Sequence, residues 1–102
     1  MSGKGQLYFI RAANTRRVKV GFTRGPVEAR LGQLQIGSSI PLQIEQVFEV
    51  AEPEYAEALV HKDLQLYRVH GEWFELDRED LEAYIGAFEE SRLPDLAQSN
   101  NS

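Results

Sequence analysis

Two short runs of alternating apolar and polar residues open the chain, residues 6–11 (QLYFIR) and 18–21 (VKVG). Alternation with a period of two predicts strands that have one face on a core and one face outward. A polar turn that contains Asn14 separates the runs, so the two strands are predicted to form a hairpin. The inward face is expected to carry Leu7, Phe9, Val18 and Val20, and the outward face Tyr8 and Lys19.

Apolar residues at helical spacing predict three helices further along the chain. The first begins at Pro26, whose missing N–H donor suits a helix start, and the second covers residues 53–67. Asp77 is expected to cap the third. Beyond Pro94 the sequence is polar and without period, so residues 1–92 are predicted to form one domain and residues 93–102 a flexible tail.

Two further extended segments complete the predicted sheet. Residues 42–50 alternate well enough to place Leu42, Ile44, Phe48 and Val50 on one face, and residues 68–76 (RVHGEWFEL) are predicted to form one short strand. The element order is then β-β-α-β-α-β-α. This order predicts an α+β fold in which helices flank a small, central, mostly antiparallel sheet.

Charge is distributed unevenly along the chain. The whole sequence of 102 residues has a net charge of −5, which taken alone argues against nucleic-acid binding. Residues 1–38, however, hold seven Lys and Arg against the single acid Glu28, whereas residues 39–102 hold four against fifteen acids. A basic segment of this kind is typical of an anionic ligand on one face, and a solvated acidic helix and tail would explain the remainder equally well.

Other features of the sequence favour a cytoplasmic protein. No apolar run approaches the ~20 residues that span a bilayer, the first residues lack the apolar core of a signal peptide, and no cysteine is present.

Several polar residues outside the core stripes supply the chemical groups that phosphodiester hydrolysis uses. A carboxylate can hold a divalent metal, an arginine can neutralise a phosphate, and a tyrosine, lysine or histidine can manage a proton. Spacing alone does not separate these roles from ordinary packing, surface ion pairs or a Glu57–His61 pair along one helix. The candidates are Tyr8, Lys19, Arg30, Glu57, His61, His70 and Glu72, of which His70 is interpreted as structural.

Four motifs, found in the order of a known family, favour a functional role for these residues over the structural interpretations. QLYFIR followed by VKVG and a helix with an arginine resembles the opening of the GIY-YIG endonuclease superfamily. The continuation VKVGFTRGPVEARLGQLQIGSSIPL, EALVHKDL and GEWFEL is similar to its T5orf172/MUG113 branch. The resemblance covers about residues 6–76. It implies a GIY-YIG-like fold and a DNA endonuclease.

The resemblance also implies roles for single residues. Tyr8 matches the tyrosine of the first motif, with Gln6 in place of the motif's glycine. Lys19 replaces the usual tyrosine of the second motif, as is common in this branch. Arg30 matches the phosphate-clamping arginine, and Glu57 fits the metal-binding glutamate. The remaining implied site residues are His61 as a catalytic candidate and Glu72 of the GEWF signature as an additional candidate.

The implied mechanism is in-line hydrolysis with one divalent ion, Mg²⁺ or Mn²⁺, held by Glu57. The expected partner is double-stranded or branched DNA, with a partner protein supplying affinity and no membrane involved. Contacts to nucleic acid are expected from Arg11, Arg16, Arg17, Arg24 and Arg30. A non-catalytic module on the same fold that binds nucleic acid or protein is the alternative, and a plain structural domain is a weaker third interpretation.

Overall fold

A computed structural model of the chain describes the backbone of residues 4–101 and the side chains of residues 4–91. The polypeptide forms five strands, three α-helices and one short 3₁₀-helix within that range. In chain order the elements are β1 (Gly5–Ala12), β2 (Arg17–Thr23), α1 (Val27–Ile36), β3 (Leu42–Val50), α2 (Pro53–Asp63), the 3₁₀-helix (Gln65–Tyr67), β4 (Arg68–His70), β5 (Trp73–Glu75) and α3 (Arg78–Asn101).

All five strands belong to one sheet with the order β3-β1-β2-β5-β4. Every neighbouring pair is antiparallel, and β1 and β2 form its centre. The predicted α+β class and the mostly antiparallel sheet flanked by helices are therefore confirmed.

The register of the first hairpin determines which side chains share a face of the sheet. Tyr8 pairs with Gly21 and Ile10 with Lys19, whereas Phe9 pairs with Val20. Side chains of directly opposed residues lie on the same face. The prediction that Tyr8 and Lys19 lie together, opposite the face of Phe9 and Val20, is confirmed.

The expectation that this second face is outward is wrong, because α1 covers it. Tyr8 and Ile10 are fully buried and pack with Val27 and Leu42 in one core cluster, against which Leu31 of α1 also lies. Helices α2 and α3 cover the other face, where a larger cluster forms. That cluster includes Leu7, Phe9, Val20, Val60, Phe74, Leu81 and Phe88. Both faces of the central strands are thus core, and a polar group reaches solvent there only at an open edge of the sheet.

A β-bulge in β3 means that Leu42, Ile44, Phe48 and Val50 do not all lie on the one face that the sequence predicts. Phe9 pairs with Gln46 and Ile10 with Ile44, so Glu45 is an extra residue on β3. One inserted residue reverses the alternation. Leu42 consequently packs in the cluster under α1, whereas Phe48 and Val50 pack in the cluster under α2 and α3.

Residues 68–76 form a hairpin rather than the single predicted strand. Its two strands have three residues each, and Gly71 in the turn adopts a φ of +55°, a conformation that glycine tolerates better than other residues. Within β2, only residues 17–19 pair with β5. The Val20 N–H still bonds to the Glu72 carbonyl oxygen, but no described strand pairs with the outer edge of β2 beyond that point, at residues 21–23. We call this opening, with Val20 at its margin, the β2 notch.

Helix α3 continues into the segment that the sequence predicts to be a tail. Asp77 caps it as expected, since the Asp80 N–H donates to Asp77 Oδ1 at 2.9 Å. The backbone is helical to Asn101. Flexibility of residues 93–102 and the division of the chain at residue 92 stay predictions. None of the helices within residues 4–101 combines the length and apolar character that crossing a membrane requires.

Two glutamines attach the ends of α1 to the sheet. The Val27 N–H, at the start of the helix, donates to Gln6 Oε1 at 3.2 Å. Near the other end, Gln35 Oε1 accepts from the Leu42 N–H at 2.8 Å. Pro26, which precedes the helix, provides no side-chain cap. Gln6, which replaces a motif glycine, therefore gives α1 its capping acceptor and fixes the helix that carries Arg30.

The cap predicts a measurable loss of stability for Gln6→Ala. Removing an N-terminal acceptor costs about 1 kcal/mol, equivalent to a fall in Tm of about 4–8 °C for a domain of this size. Gln6→Glu keeps an acceptor oxygen beside the positive end of the helix and is expected to retain most of the stability. Thermal unfolding followed by circular dichroism measures both. Equal losses in the two variants would contradict the cap.

Candidate functional site

The two backbone groups of Val20 organise the β2 notch. The Val20 N–H donates to the carbonyl oxygen of Glu72 at 3.0 Å, which holds the β4–β5 turn against β2. His61 Nε2 lies 2.9 Å from the Val20 carbonyl oxygen. Because a carbonyl oxygen can only accept a hydrogen bond, Nε2 carries a proton. In the neutral ring Nδ1 is then the nitrogen that can accept a hydrogen bond. One residue of β2 thereby positions side chains from α2 and from the β4–β5 turn.

Tyr8 crosses Gly21 and brings its hydroxyl to the notch. The Tyr8 oxygen lies 2.5 Å from the position that a Cβ atom on Gly21 would take, and Glu72 Oε1 lies 3.1 Å from the same position. Arg30 Nε donates to the Tyr8 oxygen at 3.4 Å, a long hydrogen bond. The hydrogen bond to Tyr8 is the main cause that raises the pKa of Arg30, and a guanidinium is in any case charged at every working pH.

Gly21 is consequently required by the space that Tyr8 occupies. Gly21→Ala is expected to displace the Tyr8 hydroxyl, because a real Cβ does not approach another heavy atom so closely. The variant should lose any activity that depends on the Tyr8–Arg30 contact, by about 100-fold or more, which is the scale of misplaced catalytic groups. Gly32→Ala is the matched control, since a Cβ there meets no atom within 4 Å. A Gly21→Ala protein with parental activity would exclude this geometry.

Two carboxylates and one ammonium group complete the site. Lys19 Nζ pairs with Glu72 Oε1 at 3.0 Å, and the Lys19 side chain is only 13 % exposed. Glu57 on α2 is close enough to Glu72 to interact by charge and by a hydrogen bond. Burial, first, and then Glu72 raise the pKa of Glu57 from its ordinary value of 4.5 to about 7, and Lys19 opposes the rise. Near neutral pH Glu57 therefore keeps its proton for part of the time and can donate a hydrogen bond to Glu72.

This donor set is compatible with one divalent cation. Among the described residues no group of three or more His, Cys, Asp or Glu side chains is arranged to hold a metal ion. Mg²⁺ is commonly held by one or two carboxylates and completes its shell with water and substrate phosphates. A cation between Glu57 and Glu72 would replace the proton of Glu57 and offset the repulsion from Glu72, which adds to burial in raising the pKa of Glu57.

The candidate residues divide into those that meet at the β2 notch and those that do not. Sequence reasoning left Glu72 as an additional candidate, yet this side chain contacts Lys19 and Glu57 and approaches Tyr8. The GEWF motif was the available signal. The residues that meet there are Tyr8, Lys19, Arg30, Glu57, His61 and Glu72. His70, interpreted as structural, is exposed on β4 and pairs with Trp73 of β5.

Arg11 does not belong to a nucleic-acid surface. It is 3 % exposed, its Nε pairs with Glu45 at 3.1 Å, and its Nη1 donates to the carbonyl oxygens of Thr15 and Leu76. Glu45 also pairs with Arg78. A buried guanidinium that is bonded to these partners cannot reach a phosphate. The expected contact between Arg11 and DNA is therefore wrong.

The other arginines lie at opposite ends of β2. Arg16 and Arg17 are exposed at the β1–β2 turn, where Arg17 pairs across the sheet with Glu75. Arg24 follows the far end of β2, pairs with Glu54 at 3.1 Å and lies 5.4 Å from the Phe22 ring. Only Arg30 of this group reaches the β2 notch. The roles of Arg16, Arg17 and Arg24 in binding stay predictions.

Comparison with known proteins identifies one family. A family model described as the T5orf172 domain matches residues 5–89, which is most of the chain. No curated protein and no solved structure matches it. The match includes all the residues that meet at the β2 notch, and it confirms the branch that the motifs resemble.

Proposed function

This chain belongs to the T5orf172 domain family, and we propose that it is a metal-dependent endonuclease that hydrolyses phosphodiester bonds in DNA. The family is nuclease-related or DNA-binding. The observation that carries the catalytic proposal is the convergence of Tyr8, Arg30, Glu57 and Glu72 on one uncovered edge of the sheet. Four separate elements supply these groups, as expected of a site and not of one surface ion pair.

In the proposed reaction a water molecule attacks phosphorus and one bridging P–O bond breaks. Arg30 donates to a non-bridging phosphate oxygen and neutralises the charge that develops on it. When Arg30 turns to the phosphate, the Tyr8 oxygen, buried beside it in the structure, would accept a hydrogen bond from the attacking water and orient it for in-line displacement. The water gives its proton to solvent and the leaving oxygen takes one up. Lys19 holds Glu72 in place and adds positive charge beside the phosphate.

Glu57 and Glu72 would hold the divalent ion, Mg²⁺ or Mn²⁺. The bound ion would act as a Lewis acid toward the phosphate and stabilise the leaving oxygen. His61 is a positioning residue in this proposal, since its bond to the Val20 carbonyl oxygen fixes α2, and with it Glu57, against β2.

Cleavage of defined DNA substrates tests the proposal. Supercoiled plasmid, single-stranded and branched DNA are each incubated with the protein and Mn²⁺ or Mg²⁺, and parallel reactions contain EDTA. Metal-dependent cleavage by the parent is expected, and Tyr8→Phe should reduce it about 100-fold. Tyr67→Phe, an exposed tyrosine on the 3₁₀-helix, is the matched control and should cleave normally. No cleavage by the parent of any substrate would refute the enzyme.

A non-catalytic DNA-binding module is the second candidate. It is favoured by the absence of a third carboxylate or imidazole ligand beside Glu57 and Glu72 among the described side chains. It is also compatible with the net charge of −5, which limits affinity for DNA unless a partner protein adds positive charge. DNA binding without cleavage in the same assays would select this function.

A further inference from the structure

A groove with one aromatic wall runs beside the β2 notch. It has a volume of about 490 Å³, within the range of small-ligand pockets, and we call it the Trp73 groove. Its walls include Lys19, Gln33, Leu34, Ser39, Ile40 and Trp73. Trp73 pairs with Lys19 across β2 and β5, and its half-buried ring packs against the core cluster under α1. The ring is therefore a wall of the groove that packing holds in place.

Two residues connect this groove to the proposed catalytic groups. Lys19 Nζ lies 5.7 Å from the centre of the Trp73 ring and at the same time pairs with Glu72. Gln33 accepts from Arg30 Nη1 at 3.3 Å through its side-chain oxygen, so its amide N–H₂ group is available to a ligand. A phosphate held by Arg30 at the notch would leave its neighbouring nucleotide within reach of the groove.

The charge of the groove suits part of a nucleic acid. None of the described residues that line it is acidic, although the chain has sixteen Asp and Glu against eleven Lys and Arg. Lys19 is the one charged lining residue among them, and its ammonium group also pairs with Glu72. Two other concavities on the described surface each include an acid, Glu49 in one and Asp77 in the other, whereas a third, which shares Gln33 with the groove and includes Arg30, has none. An aromatic wall, a cation and an amide donor are the groups that bind an unstacked base.

We propose that the Trp73 groove binds a nucleobase next to the scissile phosphate, stacked on Trp73 and hydrogen-bonded by Gln33. The inference rests on the proposed function in that the ligand is a nucleic acid. A base inside a duplex cannot reach a side-chain groove without leaving its stack. The protein therefore selects single-stranded, frayed or branched DNA over intact duplex.

Trp73 is the only tryptophan in the chain, so its fluorescence reports this contact directly. The protein is titrated in EDTA, where cleavage does not occur, with a single-stranded oligodeoxynucleotide, its blunt duplex, and a strand of equal length with abasic sites. The base-containing single strand is expected to quench the fluorescence and to bind at least about 10-fold more tightly than the duplex. The abasic strand keeps every phosphate and should give little quenching.

Variants separate stacking from folding. Trp73→Leu keeps an apolar side chain but removes the ring, and should weaken binding of a labelled single strand about 5- to 100-fold by anisotropy. Trp73→Phe restores an aromatic face and should recover most of the affinity. Gln33→Ala, on an exposed position of α1, should weaken binding without loss of fold, whereas Tyr67→Leu on the 3₁₀-helix should have no effect.

The outcomes distinguish this inference from the proposed function. Quenching by the base-containing strand without cleavage in Mn²⁺ supports the groove and refutes the enzyme. Cleavage of DNA with equal binding of abasic and base-containing strands overturns the groove and leaves the enzyme. Equal affinity for duplex and single strand also overturns it.

Discussion

Replacing Arg30 with alanine is expected to lower DNA cleavage by about 100- to 1,000-fold, the cost of removing one donor that stabilises a developing oxyanion. Its guanidinium donates Nε to Tyr8 and Nη1 to Gln33, so the head group lies at the β2 notch in a defined orientation. The substitution leaves the fold intact because Arg30 is only partly buried on α1 and Gln6 and Gln35 secure both ends of that helix. Initial cleavage rates at saturating Mn²⁺ measure the effect.

The conservative variant tests whether geometry or charge is responsible. Arg30→Lys keeps the positive charge but loses the planar fork that can contact Tyr8 and a phosphate oxygen together, so it should remain well below the parent. Arg16→Ala removes an equal charge from the exposed β1–β2 turn and should change cleavage by no more than its share of long-range attraction, which disappears at higher salt. Equal losses in Arg30→Ala and Arg16→Ala would show that Arg30 acts only as surface charge.

The first hairpin was predictable because its information is local. Period-two alternation specified which residues share a face, and the register bears this out for Tyr8 and Lys19. Burial of the Tyr8 face was not predictable from alternation, since it depends on α1 packing across β1 and β3. A tyrosine that alternation predicts to be a half-exposed strand residue is instead fully buried, with its hydroxyl beside Gly21 and within hydrogen-bond reach of Arg30.

Long-range contacts explain the other differences. The bulge at Glu45 has no signature in the alternation of residues 42–50, yet it turns Leu42 and Phe48 to opposite faces. The β4–β5 hairpin has strands of three residues, too short to show a period. Its turn nevertheless places Glu72 beside Glu57, fifteen positions earlier in the chain, and no local pattern indicates that two such acids meet. The motif resemblance supplied Glu72 as a candidate, and only the fold gives it partners.

The meeting of these two acids predicts an unusual dependence of stability on pH. Glu57 has a pKa of about 7 in the folded protein and an ordinary value of 4.5. Between these two pH values the folded state binds more protons than the unfolded state, so the free energy of unfolding falls as pH rises and levels off above about 7. Glu57→Gln removes both the titration and the repulsion from Glu72. Its Tm should exceed that of the parent by about 3–6 °C at pH 8 and be close to it at pH 4.

The same substitution is expected to abolish the response to divalent metal. Mn²⁺ or Mg²⁺ must compete with the proton of Glu57, so either ion should raise the Tm of the parent strongly at pH 8 and hardly at pH 5. Glu57→Gln should show no such rise at either pH, and its cleavage in Mn²⁺ should fall at least about 100-fold. Glu82→Gln, an exposed acid on α3, is the matched control and should behave as the parent.

The stability and the metal response of Glu57→Gln together show whether Glu57 binds the metal ion or only contacts Glu72. If Glu57→Gln is more stable at pH 8 but no longer binds metal or cleaves DNA, Glu57 lowers stability for the sake of function. The cost arises because the protein keeps this acid beside Glu72, which repels it. A variant that is more stable and still cleaves DNA in Mn²⁺ at the parental rate would remove Glu57 from the metal site. In that case the pair with Glu72 would be a structural contact, and the ion would have to be held elsewhere at the β2 notch.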